Sequence, residues 1–522
     1  MVVRKMPIGV QDFAKLRENN CAYADKTGFV YELASGVAPY FLGRPRRFGK
    51  SLLISTIKYY FLGRRDLFTG LKIADLETEW AEYPVFHIDL NIGNYTGVQD
   101  LADNLSTIIS RLETLWGKGE DENTLPARFE GIIRRAAEKS GRKVVVLVDE
   151  YDRPLIHTME NNLAQDDIRN MLKGFYGVLK AADPYLRFVM LTGVTKFSKV
   201  SVFSDLNQLQ DISLNEKYAE ICGITEKELL ADFADEIHAL AIKQHRADDA
   251  VLLELRRRYN GYLFAPDCAR VYNPFSVINA LDEQRIGNYW FATGTPTFLV
   301  KMLTDCHFDI PALINGFSFN INALTDYRFT GDNPVPILYQ SGYLTIKSYD
   351  AATNEYLLGF PNEEVKYAFL NDLLNSYIPR PLDIQKLYVG NFIRDLRDHD
   401  FDAFMGRLRA LFASIPYAAK EPSEHYFQSM LLLAFTLMGQ FAQVEVHTLK
   451  GRTDAVVAAF GTVYVFEFKI APDASVDMVG EALAQIATQD YAKPYLAANN
   501  RVVKVGAQYN LDKLELGEWR AE

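Results

Sequence analysis

Residues 44–51 read Arg44-Pro45-Arg46-Arg47-Phe48-Gly49-Lys50-Ser51 and carry the clearest indication of the fold. This stretch fits the phosphate-binding pattern G-x-x-x-x-G-K-[ST] at every fixed position except the first, where an arginine replaces the glycine. In this pattern backbone amides surround the phosphates, the lysine reaches the β- and γ-phosphates, and the hydroxyl is a ligand of Mg²⁺. Gly49, Lys50 and Ser51 therefore predict a site for ATP and Mg²⁺. Arg44 leaves open whether the altered loop supports hydrolysis.

The sequence on either side of this loop follows the order strand, loop, helix. Residues 38–42 form a short apolar strand, and residues 51–57 begin a helix with apolar periodicity. This order matters because the amino terminus of a helix presents free N–H groups and the positive end of a dipole to an anion. A Gly-Lys-Ser tripeptide without these flanks would be weak evidence.

A second part of the same site is predicted at residues 143–150, a continuous apolar strand that ends in Asp149 and Glu150. Asp149 is expected to hold the Mg²⁺ shared with Ser51. Glu150 is expected to orient or deprotonate the attacking water, as in the additional-strand class of ATPases. The alternative is a buried strand that simply ends in two solvated acids, and the upstream loop argues against it.

Two further strands, at residues 83–90 and 186–194, alternate with helical patterns. Such alternation predicts an α/β fold with a mostly parallel sheet and ligands at the carboxyl ends of its strands. Thr192 lies at such an end. It is either a residue that reads the γ-phosphate or a cap or turn residue.

The arginines of the loop have two interpretations. Arg46 or Arg47 contacts phosphate directly, since three arginines beside Lys50 concentrate positive charge where a polyanion would lie. Alternatively, these long cations point to solvent or pair with acids such as Asp25 and Asp152.

Several motifs together resemble the AAA-ATPase-like family of bacterial and archaeal proteins that carry a PD-(D/E)xK nuclease-like module at the carboxyl end. The resemblance rests on residues 23–27, 44–51, 148–152, 193–198, 200–207, 259–264 and 272–276. In that family the loop has this arginine in its usual form, so the resemblance implies that Arg44 is a family trait. It also implies a P-loop NTPase fold of the AAA, additional-strand type, and a segment at residues 25–27 that closes over the base. A turn stabilised by the Asp25 side chain explains that segment equally well.

Composition limits the classes of function. The chain has 522 residues with a formal net charge of −11, which argues against coating nucleic acid by bulk electrostatics. Its four cysteines have no C-x-x-C spacing, so we expect neither a zinc module nor a disulfide framework. This use of cysteine favours a cytoplasmic location. No signal peptide is expected, and residues 429–444 are interpreted as a buried helix, not a membrane span.

We predict three domains: an AAA-ATPase-like P-loop domain at 1–214, a helical lid and winged-helix-like region at 215–395, and a restriction-endonuclease-like α/β domain at 396–522. Within the middle region, residues 272–278 carry a helix-start signal, and residues 335–346 and 354–358 flank residues 347–353. A helix followed by a hairpin has the outline of a winged helix, which either contacts duplex nucleic acid or packs against the core, and the lack of a basic stripe favours packing. Residues 256–258 are three arginines on a helix. They form a solvated or salt-bridged face, or supply an arginine to the nucleotide of a neighbouring subunit in a homo-oligomer.

The last domain carries the pattern D-x(12)-E-x-K, formed by Asp454, Glu467 and Lys469. Because side chains alternate along a strand, Glu467 and Lys469 share one face. Asp454 and Glu467 are expected to bind Mg²⁺, with Glu424 completing the acidic set, and Lys469 to position or activate a water for attack on a phosphodiester. Gln485, on a following helix, is expected nearby.

The opposing interpretation is that the Glu-x-Lys pair is an ordinary charged face of a sheet. The order of helix, strands and helix around it favours a nuclease-like core. Residues 401–522 nevertheless contain more acidic than basic residues, so the basic footprint of a DNA-binding enzyme is lacking. The sequence therefore predicts an ATP-binding protein, an ATPase coupled to a Mg²⁺-dependent nuclease acting on DNA or RNA. The alternative is a nucleotide-dependent switch or scaffold with a non-catalytic nuclease-like domain.

Overall fold

The protein is described from a computed structural model. The described residues are 4–159, 161–196, 208–290, 299, 302–303, 308–320, 333–377, 389–414, 424–439, 443–446, 454–473, 475–489, 491–493, 495 and 501–522. The chain forms two compact units. Unit 1 comprises Met1–Thr293 and Gly316–Val365, and unit 2 comprises Gly294–Asn315 and Lys366–Glu522.

Unit 1 is built on a five-stranded parallel sheet. Its strands are β1 (Tyr40–Gly43), β2 (Val85–Asp89), β3 (Val144–Asp149), β4 (Leu186–Gly193) and β5 (Gln210–Asp211). Their order across the sheet is β2-β3-β4-β1-β5, and every neighbouring pair is parallel. Strand β4 thus lies between β1, which leads into the loop, and β3, which ends in Asp149. This arrangement confirms the predicted additional-strand α/β fold.

Helices cover this sheet and continue through the chain. In chain order the α-helices are α1 (Phe13–Glu18), α2 (Thr27–Ser35), α3 (Lys50–Phe61), α4 (Ile73–Leu76), α5 (Val98–Trp116), α6 (Leu125–Ser140), α7 (Arg153–His157), α8 (Asn162–Ala181), α9 (Glu226–Asp232), α10 (Ala234–Lys243), α11 (Asp248–Tyr259), α12 (Pro274–Asp282), α13 (Ile310–Asn315), α14 (Val335–Gln340), α15 (Glu363–Tyr377), α16 (Val389–Arg397), α17 (Phe401–Ser414), α18 (Glu424–Met438) and α19 (Val479–Thr488). Short 3₁₀ helices lie at Arg65–Phe68, Asp183–Tyr185 and Glu216–Tyr218.

The composition of the strands explains which of them are central. Strand β3 reads Val-Val-Val-Leu-Val-Asp, and all of its residues are buried because helices cover both faces of a parallel sheet. Strand β5 is an edge strand of two polar residues, Gln210 and Asp211, and it pairs with Tyr40 and Phe41 of β1. The hydrophobic pattern did not predict β5, since two polar residues carry no strand signal.

The remainder of unit 1 is a helical lid followed by a small sheet. Helices α9–α12 pack around a cluster that includes Leu229, Leu240 and Tyr259, and the strands β6 (Ile224–Thr225) and β7 (Val271–Tyr272) form an antiparallel pair. After α14, the hairpin β9 (Thr345–Asp350) and β10 (Glu355–Gly359) pairs with β8 (Phe317–Asn320). Helix α12 begins at Pro274 and the hairpin β9–β10 is present, and of residues 335–346 the first part is helix α14 and only residues 345–346 belong to β9. The winged-helix outline stays a prediction.

Unit 2 contains a mixed five-stranded sheet in the order β11-β12-β13-β14-β15. The strands are β11 (Gln443–Val446), β12 (Ala455–Ala459), β13 (Thr462–Ala471), β14 (Arg501–Asn510) and β15 (Glu515–Ala521). Only β13 and β14 are parallel, and helix α19 lies between them in the chain and packs on both. This is the α/β arrangement predicted for the last domain. Within the described residues, no helix has the length and apolar character needed to cross a membrane.

Candidate functional site

The backbone of the loop presents the amino terminus of α3. Gly49, directly before the helix, has φ +87°, a left-handed conformation that glycine adopts without strain. A Cβ atom at Gly49 would meet no atom within 4 Å, so the backbone conformation and not crowding requires this glycine. The free N–H groups of the first helical turn lie beside Gly49, which is exposed.

Lys50 and Ser51 begin the helix. Lys50 is 4% exposed, and its Nζ donates to the carbonyls of Arg44 (3.0 Å) and Pro45 (3.1 Å). The ammonium group thus donates hydrogen bonds to two carbonyls at the start of the loop. Ser51 is half-buried, and among the described residues its hydroxyl makes no hydrogen bond. Both groups are in the places that the phosphate-binding pattern predicts.

Arg44, the departure from the pattern, does not point toward a phosphate position. Its side chain is 1% exposed, and its guanidinium donates to the carbonyls of Gly43 (2.9 Å), Ser213 (2.7 Å) and Tyr218 (3.0 Å). It also lies 4.0 Å above the ring of Phe264. Burial lowers the pKa of the guanidinium, yet three carbonyls and an aromatic face stabilise the cation. Arg44 is therefore a structural tie from the loop to the segment after β5.

The other two loop arginines differ. Arg46 is exposed, and within the described residues it makes no hydrogen bond or ion pair. Arg47 has φ +69°, stacks 3.9 Å above the ring of Phe275 and donates to the carbonyls of Tyr289 (3.1 Å) and Trp290 (3.0 Å). Arg46 is thus the arginine available to an incoming phosphate, whereas Arg47 contacts the lid side of the unit.

The two acids considered as partners of these arginines have other roles. Asp25 accepts from the amide (2.9 Å) and hydroxyl (2.6 Å) of Thr27 and from the amide of Lys72 (2.7 Å). The structure therefore supports the interpretation of residues 25–27 as a turn stabilised by Asp25. Lys26 extends to Glu228 of α9, with Nζ 2.7 and 2.6 Å from its two carboxylate oxygens.

Asp152 is fully buried beside the end of β4. One oxygen accepts from the amides of Val194 (3.0 Å) and Thr195 (2.6 Å) and from the Thr195 hydroxyl (2.6 Å). Burial raises the pKa of Asp152 to about 6, and the hydrogen bonds from Thr195 oppose that rise. A Cβ atom on Gly193 would come within 2.6 Å of the other oxygen, so this approach requires glycine.

The carboxyl ends of β3 and β4 bring Asp149 and Thr192 together. The Thr192 hydroxyl donates to Asp149 Oδ1 at 2.6 Å, and the Glu150 amide donates to the same oxygen at 3.1 Å. Asp149 is 4% exposed. Glu150 has φ +54°, and one of its carboxylate oxygens lies 3.5 Å from Arg153. In this arrangement Thr192 positions Asp149.

An apolar cavity of about 80 Å³ opens beside Gly49. Its walls come from the amino-terminal segment, the start of α3 and the lid, and they include Ala22, Leu52, Ile224, Phe233 and Ile278. Such a cavity, with apolar walls and the helix amino terminus at its side, has the chemistry that accepts a flat base next to phosphates. No sequence pattern predicts this cavity, because its walls come from segments far apart in the chain.

The second site lies on unit 2. Asp454, immediately before β12, accepts a hydrogen bond from the Phe468 amide at 2.7 Å. Glu467 is 3% exposed; Lys469 Nζ lies 3.3 Å from its Oε1, and its Oε2 is buried without a hydrogen-bond partner among the described residues. Burial, and secondly the charge of Asp454, raise the pKa of Glu467 to about 7.

Helix α19 completes this second site. Lys469 donates to the side-chain oxygen of Gln485, and the Gln485 amide lies 3.5 Å from the Tyr491 hydroxyl. Gln485 is the helix residue that the sequence placed near the site. Glu424 is the first residue of α18, and its side chain lies outside the described part of the structure. Among the described residues, no group of three or more His, Cys, Asp and Glu side chains could hold a metal ion.

The three arginines at residues 256–258 lie at the end of α11. Arg256 pairs with Glu226 at 2.6 Å, and Arg257 with Glu363 at 3.3 Å. Both pairs are partly exposed. These ion pairs agree with the first interpretation of residues 256–258, a salt-bridged face.

The two sites define the class of the protein: a P-loop ATPase-like domain and a nuclease-like domain in one chain. Residues 7–203 match the family described as predicted AAA-ATPase, and residues 422–519 match the PD-(D/E)XK nuclease superfamily. A relative from Azotobacter chroococcum mcd 1, the uncharacterized protein in the vnfD 5′ region, is 36% identical over 519 residues, which covers 98% of this chain and 97% of the relative.

The chain therefore belongs to the AAA-ATPase-like family whose members carry a PD-(D/E)XK nuclease-like domain, as its motifs predicted. A solved structure, that of the ORC2 protein of Aeropyrum pernix in ADPNP and ADP complexes, shows a remote likeness. It has 10% identity with a TM-score of 0.19, over 64% of this chain and 88% of that chain.

Proposed function

We propose that unit 1 binds and hydrolyses ATP and that unit 2 is a metal-dependent nuclease acting on DNA or RNA. The observation that supports the first part most strongly is the convergence at one sheet edge. Lys50 and Ser51 begin a helix beside the carboxyl end of β1, and Asp149 ends β3, with β4 between these strands. Nucleotide sites of α/β sheets lie at this edge.

Within the proposed ATP site each side chain has a distinct task. Lys50 exchanges its two loop carbonyls for phosphate oxygens, and Arg46 adds a second cation. The Ser51 hydroxyl and the Asp149 carboxylate would hold Mg²⁺, which when bound neutralises phosphate charge. Thr192 keeps the Asp149 carboxylate oriented. Glu150 orients the attacking water after it turns from Arg153.

The residues of the second site fit a divalent cation. The Oε2 atom of Glu467 is buried and lacks a hydrogen bond among the described residues, and burial without a partner disfavours an ionised carboxylate. A cation between Asp454 and Glu467, with Glu424 as a third carboxylate, would remove this penalty and would supply Lewis-acid stabilisation to a phosphodiester. Lys469, held by Gln485, positions the water for in-line attack.

The experiment that tests both parts uses one preparation of the full chain. ATP binding is measured by calorimetry, and phosphate release and cleavage of single-stranded DNA, duplex DNA and RNA are measured with Mg²⁺ or EDTA. We expect ATP binding, phosphate release, and cleavage that EDTA abolishes. If the chain binds no ATP and cleaves none of the nucleic acids, the proposed function is wrong.

A second candidate function is a nucleotide-dependent switch or scaffold. It is favoured by the conformation of Glu150, which is directed to Arg153 at 3.5 Å instead of standing free for a water. It is also favoured by the acidic balance of residues 401–522, which provides no bulk attraction for a polyanion. Tight ATP binding without phosphate release, and a change of oligomeric state with ATP, would support this candidate over the first.

A further inference from the structure

The dipeptide Tyr289–Trp290, which we call the strap, lies between the guanidinium group of Arg47 and the carboxyl group of Glu364. On its carbonyl side, Arg47 Nη1 of the loop donates to the oxygens of Tyr289 (3.1 Å) and Trp290 (3.0 Å). On its amide side, Glu364 Oε1 accepts from the amide of Tyr289 and from that of Trp290, the latter at 2.9 Å. One peptide group, made of the Tyr289 carbonyl and the Trp290 amide, is thus hydrogen-bonded on both sides and connects Arg47 of the loop to Glu364.

The burial of Glu364 shows that these hydrogen bonds matter. Its side chain is 0% exposed, and a carboxylate removed from water is stabilised only by the hydrogen bonds and charges around it. The strap amides provide two such bonds. Because hydrogen bonds in series polarise one another, the donation by Arg47 to the Tyr289 carbonyl strengthens the Trp290 amide, which belongs to the same peptide group, as a donor to Glu364.

The loop end of this chain of bonds is equally constrained. Arg47 has φ +69°, a conformation that is unfavourable for a non-glycine residue unless its surroundings hold it. The strap carbonyls and the ring of Phe275 supply that support. Next to it, Phe48 packs against Tyr262 with 4.6 Å between ring centroids. The loop conformation around Gly49 therefore depends on contacts with the lid side of unit 1.

We propose that the strap links the nucleotide site to Glu364, so that a triphosphate bound at the loop and the two hydrogen bonds of Glu364 stabilise each other. This inference rests on the ATP site proposed above. The chain passes from unit 1 to unit 2 after Thr293 and again after Val365. Trp290 lies a few residues before the first passage and Glu364 directly before Val365. Binding of a nucleotide at the loop would thus stabilise the hydrogen bonds of residues that precede both passages.

The test combines hydrogen exchange with affinity, because linkage requires the effect to be reciprocal. Exchange of the Tyr289 and Trp290 amides is measured in the full chain with and without a non-hydrolysable ATP analogue. The affinity for the analogue is measured in the wild-type chain, in Glu364→Gln and in Glu363→Gln. We expect the analogue to slow exchange at both amides. Glu364→Gln should weaken binding by between about 5-fold and 150-fold, while Glu363→Gln, an adjacent acid that pairs with Arg257, should bind as the wild type does.

Two results would overturn the linkage and leave the ATP site intact: analogue binding that does not change strap exchange, or a Glu364→Gln chain that binds as tightly as the wild type. A wild-type chain that binds no nucleotide would overturn both proposals. If Glu364→Gln fails to fold, variants of Arg47 test the linkage instead. Arg47→Ala should lose the protection of the strap by the analogue and Arg47→Lys should retain part of it, whereas unchanged protection in Arg47→Ala would also overturn the linkage.

Discussion

The proposed ATP site of unit 1 and the acidic site of unit 2 hold their charged groups in opposite ways. In unit 1, Lys50 is satisfied by two loop carbonyls and Asp149 by the Thr192 hydroxyl. In unit 2, Glu467 keeps one buried oxygen without a hydrogen bond among the described residues, and its pKa is raised to about 7. Lys50 and Asp149, which would contact the ligand in the first site, are thus hydrogen-bonded, whereas in the second site one carboxylate oxygen has no such bond among the described residues.

The two sites therefore make different demands on their ligands. A nucleotide must replace the hydrogen bonds that Lys50 makes to the loop carbonyls. The net contribution of Lys50 to binding is therefore the difference in free energy between its bonds to phosphate and its bonds to the loop. A cation at Glu467 replaces nothing and relieves a desolvation penalty. We therefore expect the two sites to respond differently when their lysines are removed, when the loop is changed, and when the pH is raised.

The largest effect is expected for Lys469→Ala. Lys469 contacts both Glu467 and Gln485. Loss of a group that positions or activates the water lowers the rate by about 10²–10⁴-fold. Cleavage is measured with Mg²⁺, and ATP binding should be unchanged. Lys513→Ala, an exposed lysine in the turn between β14 and β15, is the control. Equal cleavage by Lys469→Ala and the wild type would mean that the activity comes from a contaminant.

The next effect is on stability and concerns Arg44→Gly, which restores the usual loop pattern. The change removes a buried guanidinium from the carbonyls of Gly43, Ser213 and Tyr218 and leaves a cavity beside Phe264. Unsatisfied buried carbonyls cost about 1–3 kcal/mol each, partly offset by entering water, so we expect unfolding to become easier by about 2–4 kcal/mol. Urea denaturation measures this. A more stable Arg44→Gly chain with tighter ATP binding would show that the hydrogen bonds of Arg44 do not stabilise the loop.

Much of the fold could be predicted from the sequence, because its strongest signals are local. Residues 143–150 are an apolar run that only a central parallel strand explains, and they became β3. The loop, its helix and the Glu-x-Lys strand have equally local patterns. Strand β5 was missed, since its place at the edge depends on pairing with Tyr40 and Phe41 and not on its own two residues.

The candidate site was predictable for backbone and motif residues but not for side-chain partners. Local pattern placed Lys50, Asp149 and Glu467 where the structure has them. It left open what Arg44 contacts, because the carbonyls of Ser213 and Tyr218 come from a distant segment. In the same way, nothing local joins Arg47 to the carboxylate of Glu364. Long-range partners of charged side chains are set by tertiary packing, which periodicity does not report.

A moderate effect is expected for Lys50→Ala. Charge-assisted hydrogen bonds to phosphate contribute about 1.5–3 kcal/mol. The hydrogen bonds of Lys50 to Arg44 and Pro45 in the ligand-free loop reduce the net loss, so ATP affinity should fall by about tenfold to a hundredfold. Calorimetry measures this, with nuclease activity in the absence of ATP as a second readout that should not change. Lys58→Ala, on the same helix, is the matched control. A Lys50→Ala chain that binds ATP normally would place the nucleotide elsewhere.

The smallest effect is the pH dependence contributed by Glu467. Its folded pKa of about 7 lies above that of an unfolded glutamate, about 4.3. Between these values the folded chain binds more protons than the unfolded chain, so this contribution to stability is complete below the unfolded pKa and is lost as pH rises through about 7. Water penetration and a compact unfolded state reduce its size to the order of 1 kcal/mol.

A divalent cation should reverse the sign of this dependence, because it binds the ionised form of Glu467 and therefore stabilises the chain more at pH 8 than at pH 6. Thermal unfolding is measured from pH 5 to 8 with EDTA and with Mg²⁺, for the wild type and for Glu467→Gln. Other buried acids, Asp152 among them, titrate in both chains, so the difference between the two chains isolates Glu467. If this difference is independent of pH and of Mg²⁺, then Glu467 is an ordinary buried acid, and the contrast between the two sites is lost.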